Sequence, residues 1–148
     1  MKEEEARHML AELMENASRR KEPLEHILLC GKMSLRSVLP KIEAAHYFHR
    51  IVGMPDLRFV DLAAILTHLR ERDILLIEQL HRLPTSHSKD LSRLMATFIL
   101  HIEVGKEPNI KMVDLRLPPF TLLAVTPLPG QLPAQMRGSF KREIYVED

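Results

Sequence analysis

Three short apolar runs constrain this chain more than any other feature: "LEHILLCG" at residues 24–31, "DILLIEQ" at 73–79 and "FTLLAVT" at 120–126. Each is only a few residues long and none shows strict polar–apolar alternation. That pattern belongs to strands covered on both faces, as in a parallel sheet between helical layers. The stretches between them are helical in period. Residues 2–20 place Ala6, Met9, Leu10, Leu13, Met14 and Ala17 on one face, and Pro23 stops the helix. Residues 35–46 suit a helix if Pro40 lies in its first turn, where the missing N–H costs nothing. "YFHRIV" at 47–52 reads as a second strand. Asp61 is expected to cap a helix lined by Leu62, Ile65, Leu66 and Leu69, and Ser88 one carrying Leu91, Leu94, Met95 and Phe98.

Two further runs, "ILHIEVG" (99–105) and "IKMVDLRL" (110–117), do alternate and flank "GKEPN". They read as a β-hairpin with a longer loop. Pro127, Pro129 and Pro133 interrupt the segment after "FTLLAVT", and "REIYV" (142–146) reads as a last short strand. Strands alternating with helices give an α/β fold, with a mainly parallel sheet and helices on both faces.

The chain has 148 residues, 45% apolar and 28% charged, so one domain with a genuine core is expected. Lys and Arg number 21 against 20 Asp and Glu, which removes any whole-chain electrostatic case for nucleic acid or an acidic membrane. The small basic clusters, Arg19 to Lys21 and Arg137, Lys141 and Arg142, read as solvated surface. A single cysteine, Cys30, excludes an internal disulfide and reads as a buried, inert thiol. The charged start "MKEEEARH" is unlike a signal peptide, and no apolar run approaches the ~20 residues that span a bilayer. A cytoplasmic protein is the expectation. His46 and His49 have no companion ligands, and H-E-x-x-H, C-x-x-C and G-x-S-x-G are all missing, so neither a metal site nor a familiar hydrolase is expected.

The order of motifs is more specific. "EPLEHILLCG", "DLAAILTHL", "DILLIEQLHRL", "LHIEVGKEPNIKMVDLRLPPFTLL" and "QLPAQMRGSF" resemble the large AAA+ ATPase subdomain of the RuvB-like Holliday-junction branch-migration motors. The resemblance runs without a gap over residues 61–148 and extends back to the opening helix. It implies a three-layer P-loop-type fold with a five-stranded, mainly parallel sheet and a projecting hairpin. In that family a helical lid and a winged-helix DNA-binding domain follow. This sequence ends at Asp148, so one large subdomain over 1–148 is expected, without a direct DNA-binding domain.

The family's ATP and magnesium chemistry is expected to be lost. A P-loop needs glycines to wrap phosphates with backbone N–H groups, a lysine for the β- and γ-oxygens, and a hydroxyl on Mg²⁺. The corresponding stretch is "GKMSLRSVL": Gly31 matches the first glycine, Ser37 stands at the lysine position and Val38 at the hydroxyl position. The family's acidic pair after the third strand becomes Glu78 and Gln79. The first position orients the magnesium shell; the second supplies the carboxylate base, which an amide cannot replace. Thr126 matches the polar sensor of the strand "TLLAVT". Arg137 keeps one arginine of a paired segment whose second member is Ser139. These are vestiges: no nucleotide, metal or other cofactor is expected. His81 and Arg82 also match the family, with a supporting role at the strand end.

The hairpin persists. In the family it docks the junction-binding partner RuvA, and here Ile102, Val104, Ile110 and Met112 are expected to form an apolar patch near its tip. The sequence thus reads as a catalytically inactive interaction module contacting a RuvA-like protein, an AAA+ motor subunit or itself, in Holliday-junction recombination and repair. The alternative is a divergent ATP-binding motor subunit that works only beside intact subunits, with Arg137 serving a neighbour's site.

Overall fold

A computed structural model describes residues 1–32 and 48–147 of the chain. The helix expected over 35–46, together with Ser37, Val38, Pro40 and His46, lies outside the described residues. In chain order the elements are helix α1 (Glu3–Arg20), strand β1 (Ile27–Cys30), strand β2 (Phe48–Val52), helix α2 (Phe59–Leu66) and strand β3 (Ile74–Glu78). Next come helix α3 (Thr85–Thr97), the hairpin strands β4 (Ile99–Val104) and β5 (Lys111–Arg116), strand β6 (Thr121–Thr126), helix α4 (Ala134–Gly138) and strand β7 (Arg142–Tyr145). Single 3₁₀ turns at Leu80–Arg82 and Pro129–Gln131 succeed β3 and β6.

The three apolar runs become the three central strands. The sheet order is β2-β3-β6-β1-β7 and every pairing is parallel. Because successive side chains point to opposite faces, each inner strand feeds two cores. Leu28, Leu75, Ile77, Leu122 and Ala124 pack with Leu62 and Leu66 of α2 and Leu91 and Leu94 of α3. Ile27, Leu29, Ile74, Leu76 and Leu123 pack with Ala6, Leu10 and Met14 of α1. Burying one such leucine stabilises by about 1.5–3 kcal/mol, which explains why runs with no polar face settle at the centre.

Two helix starts differ from expectation. α2 begins two residues before Asp61, behind the extended Arg58; Asp61 lies in the first turn and binds back to the Arg58 guanidinium at 3.2 and 3.3 Å. α3 begins at Thr85 behind Pro84, and Ser88 is buried within it rather than capping it. In both cases the extended residue ahead of the helix sets the start without a side-chain cap. Phe98, expected inside the helix, instead ends α3 in the left-handed conformation (φ 55°) and stacks edge-on against Phe120 at 5.5 Å. α4 was not expected; Pro133 in extended backbone precedes it.

Candidate functional site

The C-terminal ends of β1, β3 and β6 meet at one edge of the sheet, where ligands bind in open α/β folds. Gly31 comes directly after β1 with φ at 135°, and its N–H donates to the Thr126 carbonyl at 2.9 Å. A side chain there would bring its Cβ to 2.5 Å from the Val146 carbonyl oxygen, so the first glycine of the loop is required by the fold itself. Beside it opens a recess of about 480 Å³, whose lining among the described residues includes Glu3, Lys32, Glu78, Gln79, Val125 and Pro127 as well as Gly31 itself. Gly31, Glu78 and Gln79, singled out from sequence, are thus brought together. Ser37 and Val38 lie outside the described residues.

Gln79 terminates β3 in a left-handed conformation, φ 55° and ψ 45°. Its carbonyl accepts the Arg82 N–H at 3.0 Å, closing the 3₁₀ turn. On the other side Gly53 approaches so closely that an added Cβ would lie 2.2 Å from the Gln79 carbonyl oxygen. Positive φ in a non-glycine residue is uncommon and concentrates at functional sites. Here the constrained backbone carries an amide, which has no carboxylate to accept a proton from water.

Glu78 is closed by a partner that sequence reading did not find. The Arg50 guanidinium reaches across from β2, its Nη2 at 2.8 and 3.0 Å from the two carboxylate oxygens. Register explains the reach: Arg50 pairs with Leu76 and Val52 with Glu78, so both side chains project from the same face of adjacent strands. The signal for it in the sequence is a permanent cation inside the strand "YFHRIV". A magnesium ion held by this carboxylate would need oxygen contacts at 2.0–2.1 Å in the space the guanidinium nitrogen occupies. Among the described residues, Glu78 paired in this way does not fit direct magnesium coordination.

Thr126 sits at the end of β6, fully buried. Its hydroxyl accepts the Leu128 N–H at 3.1 Å and lies 2.9 Å from His81 Nδ1. Partial burial first, and the neighbouring Arg82 second, hold the His81 imidazole below its ordinary value. His81 therefore supports the strand end, as expected.

Arg137, on α4, is bound within its own chain. Nε and Nη2 donate to Glu143 at 2.9 and 3.3 Å, and Nη2 also meets the Tyr145 hydroxyl. The hydrogen bonds from Arg137 and then Tyr145 hold the Glu143 carboxyl below the usual carboxylate range. Cys30 is buried, and burial chiefly, with nearby Glu143 adding, pushes its thiol up to about 11, which agrees with an inert cysteine.

The hairpin forms a separate two-stranded sheet, with β4 and β5 antiparallel. Leu100 and, in part, Ile102 pack on the core, so the base of the hairpin is anchored. Ile102 pairs with Val113 and Val104 with Lys111, whereas Met112 lies opposite Glu103. Residues directly opposite share a face. The expected patch of four is therefore split: Ile102 and Val104 share a face with Val113 and Leu115, and Met112 projects from the other. Val104, at 51% exposed, Ile110, Val113 and Leu115 stand in solvent, as does Met112 at 62%.

No helix among the described residues is long and apolar enough to cross a membrane, and no group of metal-ligating side chains occurs among them. Residues 1–145 match the family model described as the Holliday junction DNA helicase RuvB P-loop domain. The chain is similar to the Thermotoga maritima RuvB Holliday junction branch migration motor, with 27% identity over 97% of this chain and 45% of that one, at a TM-score of 0.74. It is also similar to two point mutants of Thermotoga maritima RuvB. One shares 29% identity over 93% of this chain and 44% of that one, with a TM-score of 0.75; the other shares 28% over 97% and 45%, with a TM-score of 0.76. The chain spans less than half the length of these relatives.

Proposed function

The chain belongs to the RuvB P-loop domain family, and from that premise we propose that it is a member which has lost nucleotide hydrolysis and acts as an interaction module in Holliday-junction processing. The observation that carries this reading is the hairpin. Among the described residues its strands pair only with each other, and beyond the anchored Leu100 they hold Val104, Val113 and Leu115 on one face in solvent. Apolar side chains clustered on a projecting element mark a contact surface. Its occupant on this reading is a RuvA-like protein or an intact AAA+ motor subunit. Loss of hydrolysis is supported by Gln79 in place of a base and by the Arg50 guanidinium on Glu78. On the same reading the chain works in the cytoplasm and takes no cofactor. In the alternative role, as an ATP-binding subunit that completes a neighbour's site, Arg137 would have to give up the bonds that its Nε and Nη2 make to Glu143 and Tyr145.

The test is capture of a purified RuvA-like protein, and separately of an intact RuvB motor, by the immobilised chain. The wild type is expected to retain one of them, and Ile110→Asp and Leu115→Asp each to abolish retention without changing the circular dichroism spectrum. Retention unchanged by both substitutions, or micromolar magnesium-dependent ATP binding in calorimetry, overturns the proposal.

A further inference from the structure

Glu78 stands where the family's metal-orienting carboxylate is expected, yet it already has a cation. One guanidinium nitrogen of Arg50 lies 2.8 and 3.0 Å from both oxygens, on the line that bisects the carboxylate. A divalent ion held bidentately occupies that same line, at shorter range. The two cannot coexist there: their volumes overlap and their charges repel at contact distance.

We infer that Arg50 is an internal replacement for the divalent cation at Glu78 and keeps metal from that carboxylate. Three observations support this beyond the distances. Arg50 comes from β2 and Glu78 from β3, neighbouring strands whose parallel register puts the two side chains on one face, so the pairing is built into the sheet. The Glu78 side chain is three-quarters buried, whereas that of Arg50 is half exposed. The carboxylate is therefore the fixed partner and the guanidinium closes it from the solvent side. Finally, Glu78 lines the recess among the described residues, together with Glu3 and Lys32, so the carboxylate side of the pair faces this space. The guanidinium stays protonated at any working pH, so the Glu78 carboxylate has a counter-charge in the absence of any ion.

This inference rests on the reading of the site as one without hydrolysis, and its test uses no nucleotide, so the two fail separately. Mn²⁺ is titrated into the purified chain and followed by electron paramagnetic resonance. The wild type is expected to show no saturable site. Arg50→Met, and Arg50→Gln as a second variant should the first not fold, are expected to bind Mn²⁺ at least about tenfold more tightly, because a contact-distance positive charge has gone. The double variant Arg50→Met with Glu78→Gln is expected to lose that gain. Saturable Mn²⁺ binding by the wild type equal to that of the variants overturns the inference. So does a folded Arg50 variant with no gain, or a gain that survives Glu78→Gln.

Discussion

Thr126 and His81, 45 residues apart in the chain, meet at 2.9 Å across the C-terminal edge of the sheet. The threonine hydroxyl also accepts the Leu128 N–H, so one buried side chain ties the end of β6 to both turns that leave the edge. The polar residue at the end of this strand has a structural occupation.

Thr126→Val preserves shape and removes both hydrogen bonds, leaving the Leu128 N–H and the imidazole without this partner. Unfolding free energy from urea titration is expected to fall by about 1–2 kcal/mol. An unchanged midpoint would mean that the hydroxyl contributes nothing to the edge.

The buried His26 makes stability depend on pH. Its Nδ1 accepts the Leu122 N–H at 2.9 Å, a bond that a protonated ring cannot make. Burial is the main cause holding its titration below the ordinary 6.5, with Lys141 adding to it against an opposing hydrogen bond to the Met95 carbonyl. The unfolded chain therefore binds the proton more readily than the folded one. The stabilisation is fully present above 6.5 and declines as pH falls from there towards the lower folded value. His81 acts in the same direction. The urea midpoint is expected to drop between about pH 7.5 and about pH 5.5, and His26→Asn, whose side-chain oxygen accepts the same N–H, to show a shallower drop. An equal slope in the variant would remove His26 as a cause.

Restoring the missing carboxylate alone is expected to restore nothing. Gln79→Glu puts a base at the end of β3, but Glu78 remains closed on Arg50, and on the proposed reading Ser37 and Val38 stand at the lysine and hydroxyl positions. Phosphate release from ATP by the variant should equal that of the wild type. Measurable turnover from this one change would place a working phosphate cradle in the stretch after Gly31.

The five strands of the sheet and the amide at the end of β3 are written locally. A run such as "ILLI" has no polar face, so it is stable only between two apolar layers, and an amide at position 79 is an amide in any fold. The same holds for Gly31, whose lack of a side chain is legible although its clash partner, Val146, is not.

Tertiary structure decided which charged groups meet and which way the hairpin faces. Arg50 and Glu78 are 28 residues apart, and only the parallel pairing of β2 with β3 brings them within hydrogen-bond reach. In the hairpin, strand alternation was visible, but the register across the turn puts Met112 opposite Glu103 and Val113 opposite Ile102, which splits residues of equal spacing between two faces. The physical reason is range. Burial of apolar surface acts on each segment by its own composition, so sequence alone determines where strands form. Ion pairs and faces depend on separations of a few ångströms between distant segments, and those separations exist only once the sheet has set its register.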